Sequence, residues 1–208
     1  MTIQEYGSTS ANIILIQMVD DHDLAGIENE VSYIREHTAK DFRLLAVKVR
    51  DWNTDLSPWH APAVFGNGGF GAGAAETLEE VKKLCVDSSK SYYLGGYSLA
   101  GLFALWAAYR TDRFKGVAAA SPSVWFPGFS EYMKEHEIRT NSVYLSLGDK
   151  EAKTRNPVLA AVADRIQEAY DRLRSHDVRG TLEWNPGNHF RDPDIRTAKA
   201  FVWVMDQD

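Results

Sequence analysis

Three short stretches of the chain hold residue types that together can carry out nucleophilic acyl chemistry. The first is Gly96-Tyr97-Ser98-Leu99-Ala100-Gly101, where a serine stands between small residues two places before and two places after it. A serine hydroxyl is a weak nucleophile until a base takes its proton and an acid orients that base. A base is offered by Gly187-Asn188-His189-Phe190, and an acid by Gly148-Asp149-Lys150-Glu151. Ser98 is thus the candidate nucleophile and His189 the candidate base. Glu151 and Asp149 both stand where an acid is needed. The plainer readings are a serine N-cap for Ser98, a solvated turn residue for His189 and solvated loop carboxylates for the two acids.

These residues need elements to hold them. Apolar, β-rich runs at 13–19, 42–49, 92–95, 116–120, 142–147 and 181–184 alternate with helical patterns. That alternation predicts an α/β fold with a mainly parallel central sheet and helices on both faces. One helix carries Ile27, Val31 and Ile34 on one side. Another is opened by Thr77-Leu78-Glu79-Glu80, which has capping-box spacing, and reaches about Asp87. The stretch 99–110 is apolar on nearly every side and must be buried. Asn156-Pro157 and Asp192-Pro193 each read as a helix start. The first of these leads a stripe of Leu159, Val162, Ile166, Tyr170 and Leu173, and the second runs through Phe201 to Met205. Ser98 then lies at a strand-to-helix turn, and the acid and histidine stretches follow the last two strands. Of the other histidines, His37 and His176 sit near helix C-termini, where a cation is favoured. His22, His60 and His136 do not follow the last strand.

Composition sets the outer bounds. The chain has 208 residues, 44% hydrophobic and 25% charged, which suits one domain spanning 1–208 with an ordinary core. A net charge of −6 disfavours general nucleic-acid binding. Cys85 is the single cysteine, so no internal disulfide can form, and its helical setting marks it as a small buried hydrophobe. Residues 1–10 are polar and do not read as a secretory signal. No apolar run approaches the ~18 residues of a membrane span. A cytoplasmic protein without a membrane or nucleic-acid partner is the expectation.

The Gly96-x-Ser98-x-Ala100 turn resembles the nucleophile elbow of α/β-hydrolases, with alanine where the second glycine usually stands. Ser121-Pro122-Ser123-Val124-Trp125, Gly148-Asp149-Lys150-Glu151 and Gly187-Asn188-His189-Phe190 are similar to segments of one esterase group in that superfamily. The group includes enterochelin-esterase-like, S-formylglutathione-hydrolase-like and feruloyl-esterase-like enzymes. The resemblance spans about residues 13–203 and leaves little chain for the usual N-terminal antiparallel strands. It implies an α/β-hydrolase fold with a minimal cap or none, and hydrolysis of a small-molecule carboxylic ester through an acyl-serine, without a cofactor. It points to Glu151 as the acid, because the acid of many relatives stands three residues after the loop glycine. It also implies an oxyanion hole made by the backbone N–H of Leu99 and that of Asp21 or His22. Acyl transfer on the same scaffold and a catalytically silent binding module are the alternatives.

Aromatics make up 12% of the chain, and the segment 51–75 is rich in Trp, Pro and Gly. Trp106 and Trp203 fall in helices and are expected in the core, while Trp184 ends a strand. Trp52, Trp59, Phe70, Trp125 and Phe126 lie on loops at the strand ends that carry Ser98. They are expected to wall an apolar acyl or aryl pocket, the alternative being that they tie down a long loop. Gly66-Asn67-Gly68-Gly69-Phe70-Gly71 fits a dinucleotide pattern but does not directly follow a strand, so it is read as a mobile loop. Asp20-Asp21-His22-Asp23 holds metal-ligand types, yet adjacent residues rarely converge on one ion, and no metal is assigned.

Overall fold

β-Branched and aromatic runs of about seven residues are too short for stable isolated helices and suit strands, whereas the longer amphipathic stretches between them suit helices. The computed structural model describes residues 1–207. In chain order the elements are β1 (Thr2–Gly7), β2 (Ile13–Val19), α1 (Asp21–His37), β3 (Phe42–Lys48), α2 (Trp52–Asp55) and α3 (Ala74–Lys82). There follow β4 (Ser91–Tyr97), α4 (Leu99–Arg110), β5 (Gly116–Ala120), α5 (Phe129–Glu135) and β6 (Ser142–Gly148). The chain continues through α6 (Pro157–Ala160), α7 (Val162–Ser175), β7 (Arg179–Asn185) and α8 (Pro193–Met205).

The strands form one seven-stranded sheet in the order β1-β3-β2-β4-β5-β6-β7. Only β1 runs antiparallel to its neighbour. One face is covered by α1 and α8, which bring Ile27, Val31, Ile34, Phe201 and Val204 onto Leu15, Tyr93 and Ala118. The other is covered by α3, α4, α5 and α7 around Ile16, Leu94, Phe103 and Leu145. Burial on both faces is why the central strands read as near-continuous apolar runs. No helix among the described residues is long and apolar enough to cross a membrane.

Several elements differ from the sequence expectation, which had no helix at α2 or α5. β1 was not anticipated: almost all its residues are exposed, so it carries no apolar alternation, and its pairing with β3 comes from backbone hydrogen bonds with one ion pair, Arg43 to Glu5 at 2.5 Å, across the two strands. α3 starts one turn before the Thr77 capping box. The Gly73 and Ala74 N–H groups reach Thr54 O (2.9 Å) and Ser57 O (3.1 Å) in the preceding segment, so no side-chain cap is needed there. Thr77 lies buried inside the helix, which ends at Lys82 rather than near Asp87. Asn156 does cap its helix through Val158 and Leu159, but the helix breaks at Ala161 into α6 and α7.

The four adjacent strands β4, β5, β6 and β7 end at one edge of the sheet. The next residues there are Ser98, Ser121, the turn holding Glu151 and the loop holding His189. In open α/β sheets, ligands bind at this edge.

Candidate active site

Sterics build the nucleophile turn. Ser98 has φ 58° and ψ −118°, a conformation that costs a non-glycine residue about 1–3 kcal/mol. Two backbone hydrogen bonds hold it there, from Ser98 N–H to Ala120 O (3.1 Å) and from Ser123 N–H to Ser98 O (3.0 Å). The small flanking residues are needed for space. A Cβ on Gly96 would stand 2.5 Å from the Ala100 Cβ, and one on Gly101 would stand 3.0 Å from Gly96 O. A glycine at 100 is not required, because an alanine methyl fits as long as position 96 has none. The turn lifts the Ser98 hydroxyl to within 2.9 Å of His189 Nε2 and 3.3 Å of the Ser123 hydroxyl.

The acid and the histidine are held by polar contacts. The loops after β6 and β7 extend the ladder between those strands, with Asp149 N–H to Asn185 O at 2.8 Å and Lys150 N–H to Gly187 O at 3.0 Å. His189 Nδ1 lies 2.7 Å from Glu151 Oε2. With Nδ1 protonated toward Glu151, Nε2 is free to accept the serine proton. Glu151 Oε1 accepts from Gly148 N–H (2.7 Å), the Ser121 hydroxyl (2.8 Å) and Arg196 Nη1 (2.9 Å). Burial opposes the Glu151 charge. The hydrogen bond and charge of His189, the Gly148 N–H and the Ser121 hydroxyl outweigh it and hold the carboxyl below its ordinary value. Asp149 has a different task, accepting from Gly187 N–H at 2.7 Å to shape the histidine loop. Tyr97 donates to His189 O at 2.7 Å; burial and the nearby Glu151 charge push its pKa up to about 12, so it stays a donor.

The donors expected from the sequence for an oxyanion are backbone N–H groups. Leu99 opens α4 and Asp21 opens α1, so their N–H groups have no carbonyl one turn back. Between β2 and α1 there is a single residue, Asp20. It forms a capping box with Asp23, each side chain accepting from the other's N–H (2.9 and 3.3 Å). The box and Leu24 use the other early groups, leaving the N–H of Asp21 and of His22 without partners among the described residues. In the same segment Asp20 and Asp23 cap the helix, and Asp21 pairs with Lys48 at 2.6 Å.

A cleft of about 480 Å³ opens over Ser98 and His189, with Phe65, Trp125, Leu159, Val162 and Phe190 on its apolar walls and Lys150 and Lys153 on its polar side. Of the five aromatics expected to wall it, Trp125 does so. Trp52, Trp59, Phe70 and Phe126 do not. Phe70 and Phe126 are buried, and Trp59 is pinned by its indole N–H to Pro127 O at 2.9 Å. Trp52 packs against the core below. Ring contacts run from Phe65 through Trp125, Phe70 and Phe126 to Trp59, with centroids 5.1–6.0 Å apart. The expectation treated loop position as cleft position, whereas these rings stack in depth and only the outermost meet the cleft. The glycine-rich stretch 66–71 folds back so that Phe70 N–H bonds Ala61 O at 2.8 Å. Trp184, 48% exposed, lies outside the core.

Sequence reasoning missed Phe65, Ser121 and Arg196. Arg196 had a readable signal. It stands four residues before Ala200 and eight before Val204, on the buried stripe of α8, where a charge calls for a partner.

The strand order, the strained turn after β4 and the loops after β6 and β7 define the α/β-hydrolase fold. Solved structures agree. An IroE-like serine hydrolase from Shewanella oneidensis is similar at TM-score 0.77 and 16% identity, covering 97% of this chain and 74% of that one. The siderophore hydrolase EstA from Aspergillus nidulans is similar at TM-score 0.70 and 18% identity, over 97% and 86% of the two chains. The enterobactin esterase FES from Shigella flexneri, solved with enterobactin, is similar at TM-score 0.69 and 15% identity. There 99% of this chain is covered, and it spans 55% of the length of that esterase. At these identities the shared property is the fold, and the esterase resemblance drawn from the sequence holds at that level. No protein-family model matches the chain, and none of the curated proteins does.

Proposed function

We propose that the protein is a serine hydrolase that cleaves a small carboxylic ester through an acyl-serine intermediate. The observation that carries this is the hydrogen-bonded chain Ser98 Oγ–His189–Glu151, with steps of 2.9 and 2.7 Å. Similarity of fold to structures described as serine hydrolases and esterases supports the same class.

In this mechanism the Ser98 hydroxyl attacks the ester carbonyl while His189 Nε2 takes its proton. Glu151 stabilises the imidazolium that forms. The N–H groups of Leu99 and Asp21 receive the developing oxyanion at two helix N-termini, where partial positive charge gathers. The imidazolium then protonates the leaving alcohol. His189 next deprotonates a water, which attacks the acyl-serine; the imidazolium then returns the proton to Ser98 Oγ as the acyl–oxygen bond breaks and the acid is released. The His189 side chain is 30% exposed, so water can reach it for the deacylation step. Phe65, Trp125, Leu159 and Val162 suit an apolar acyl or aryl group. The cleft lies within the ~300–1,000 Å³ common for small-ligand sites.

The test is a panel of p-nitrophenyl esters of graded acyl length, with the mass of the intact protein followed during turnover. Turnover with a transient acyl adduct on Ser98 is expected. Failure to turn over any ester contradicts the proposal.

A further inference from the structure

Arg196 is among the largest fully buried side chains, with only 2% of it exposed, and the five hydrogen bonds its guanidinium makes to described residues all lie in the site. Its Nη1 donates to Glu151 Oε1 (2.9 Å), the Tyr97 hydroxyl (3.0 Å) and the Ser121 hydroxyl (3.3 Å). Its Nη2 donates to Pro186 O and Asn188 O, both at 3.1 Å. One flat fork thus touches the residue before the nucleophile, the loop after β5, the acid and both sides of the turn that leads into His189. Two details separate this from generic packing. Arg196 takes the Glu151 oxygen that His189 does not use, which leaves Oε2 aimed at the imidazole. It also holds the carbonyls on either side of Gly187, the residue whose backbone sets where His189 begins.

We infer that Arg196 is a positioning residue of the proposed reaction, fixing the Glu151–His189 geometry from behind and meeting no substrate. The inference rests on the serine-hydrolase reading. A guanidinium suits the task because its five donors lie in a rigid plane and its charge is permanent. Lysine offers one ammonium, which can follow Glu151 or the two carbonyls but cannot span both.

The test compares wild type, Arg196→Met and Arg196→Lys for kcat and KM on one p-nitrophenyl ester, and for the rate of fluorophosphonate labelling at Ser98. Misplacing the base by about 1 Å should lower kcat and the labelling rate about 100-fold in Arg196→Met, with KM within about threefold. Arg196→Lys, which keeps the charge without the fork, should recover part of this and remain about tenfold below wild type. A folded Arg196→Met protein with wild-type kcat overturns the inference, as does a loss confined to KM. Where Arg196→Met does not fold, Arg196→Lys decides: reduced kcat at unchanged KM supports the inference, and unchanged kcat overturns it. Wild-type protein that hydrolyses no ester and takes no probe at Ser98 overturns the serine-hydrolase reading itself, whatever the variants do.

Discussion

The two halves of the site are built by different forces. The Ser98 side is a matter of shape, with glycines and an alanine letting strand, turn and helix close on each other while backbone hydrogen bonds hold the strained serine. The Glu151–His189 side is a matter of charge, with a buried carboxylate and hydroxyls from the ends of β4, β5 and β6 converging on a buried guanidinium from α8. Strain at the first side is a stability cost carried for function, whereas the charges at the second stabilise the fold and the site together. Substitutions on the two sides should therefore part company in stability even where both abolish activity.

The largest expected effect is that of Ser98→Gly. Activity should fall by about 10⁴-fold or more with the nucleophile gone. Stability should nevertheless rise, by about 1 kcal/mol, because glycine adopts positive φ freely. Denaturant unfolding beside an ester assay reads both, and a loss of stability would break the contrast. Glu151→Gln comes next and should lower both quantities. Loss of the orienting carboxylate should cost about 10⁴-fold in kcat. Arg196, left buried without its counter-charge, should cost about 3 kcal/mol or more of stability.

A smaller pair of effects separates the aromatic rings by depth. Trp125→Ala should raise KM for aryl and long acyl esters by about tenfold, the loss of one large apolar contact. Trp59→Ala should leave KM unchanged and cost about 3 kcal/mol of stability, because its ring packs on Phe126 and Tyr132 and its N–H is bonded. Equal KM changes in both variants would contradict this division.

A last effect, read in stability alone, sharpens what a cation does for a buried acid. Glu30 is more deeply buried than Glu151, but its side-chain partner is neutral Gln17 at 3.1 Å, and each of the two keeps one oxygen without a partner. Burial, the leading cause, and the nearby charges of Asp23 and Asp194 raise its pKa well above the ordinary value against the pull of the Gln17 bond. A carboxyl raised in this way favours folding while protonated, and the benefit fades as pH rises toward its folded value. Asp23, pushed up to about 6 by burial and by Asp20, adds to the same decline. Glu30→Gln should match wild type near pH 5 and exceed it progressively above that, by up to ~1.4 kcal/mol per pH unit. Unfolding at pH 5 and pH 8 reads the difference. Glu151 has the opposite sign: its lowered pKa gives stability that is present at neutral pH and lost on acidification through the folded value.

The same division explains what the sequence made legible. Sterics act over neighbouring residues, so Gly96-x-Ser98-x-Ala100, the buried helix after it and the alternation of strands and helices were readable, as was the placement of Glu151 and His189 after the last two strands. The charged side depends on residues far apart in the chain. Arg196 reaches back 99 positions to Tyr97 and 75 to Ser121, and no local pattern records that meeting. The aromatic rings failed differently: chain position located them at the right edge of the sheet but not at the right depth. β1 escaped because an exposed edge strand needs no apolar face.

The central claim is that Ser98 is made nucleophilic by His189. Its most direct measurement is labelling of the folded protein with a fluorophosphonate probe, followed by peptide mapping in wild type, Ser98→Ala and His189→Ala. The account predicts stoichiometric modification of Ser98 in the wild type, none in Ser98→Ala and a rate at least about 10³-fold lower in His189→Ala. Absence of label from folded wild-type protein, or equal labelling of Ser98 with and without His189, would contradict it.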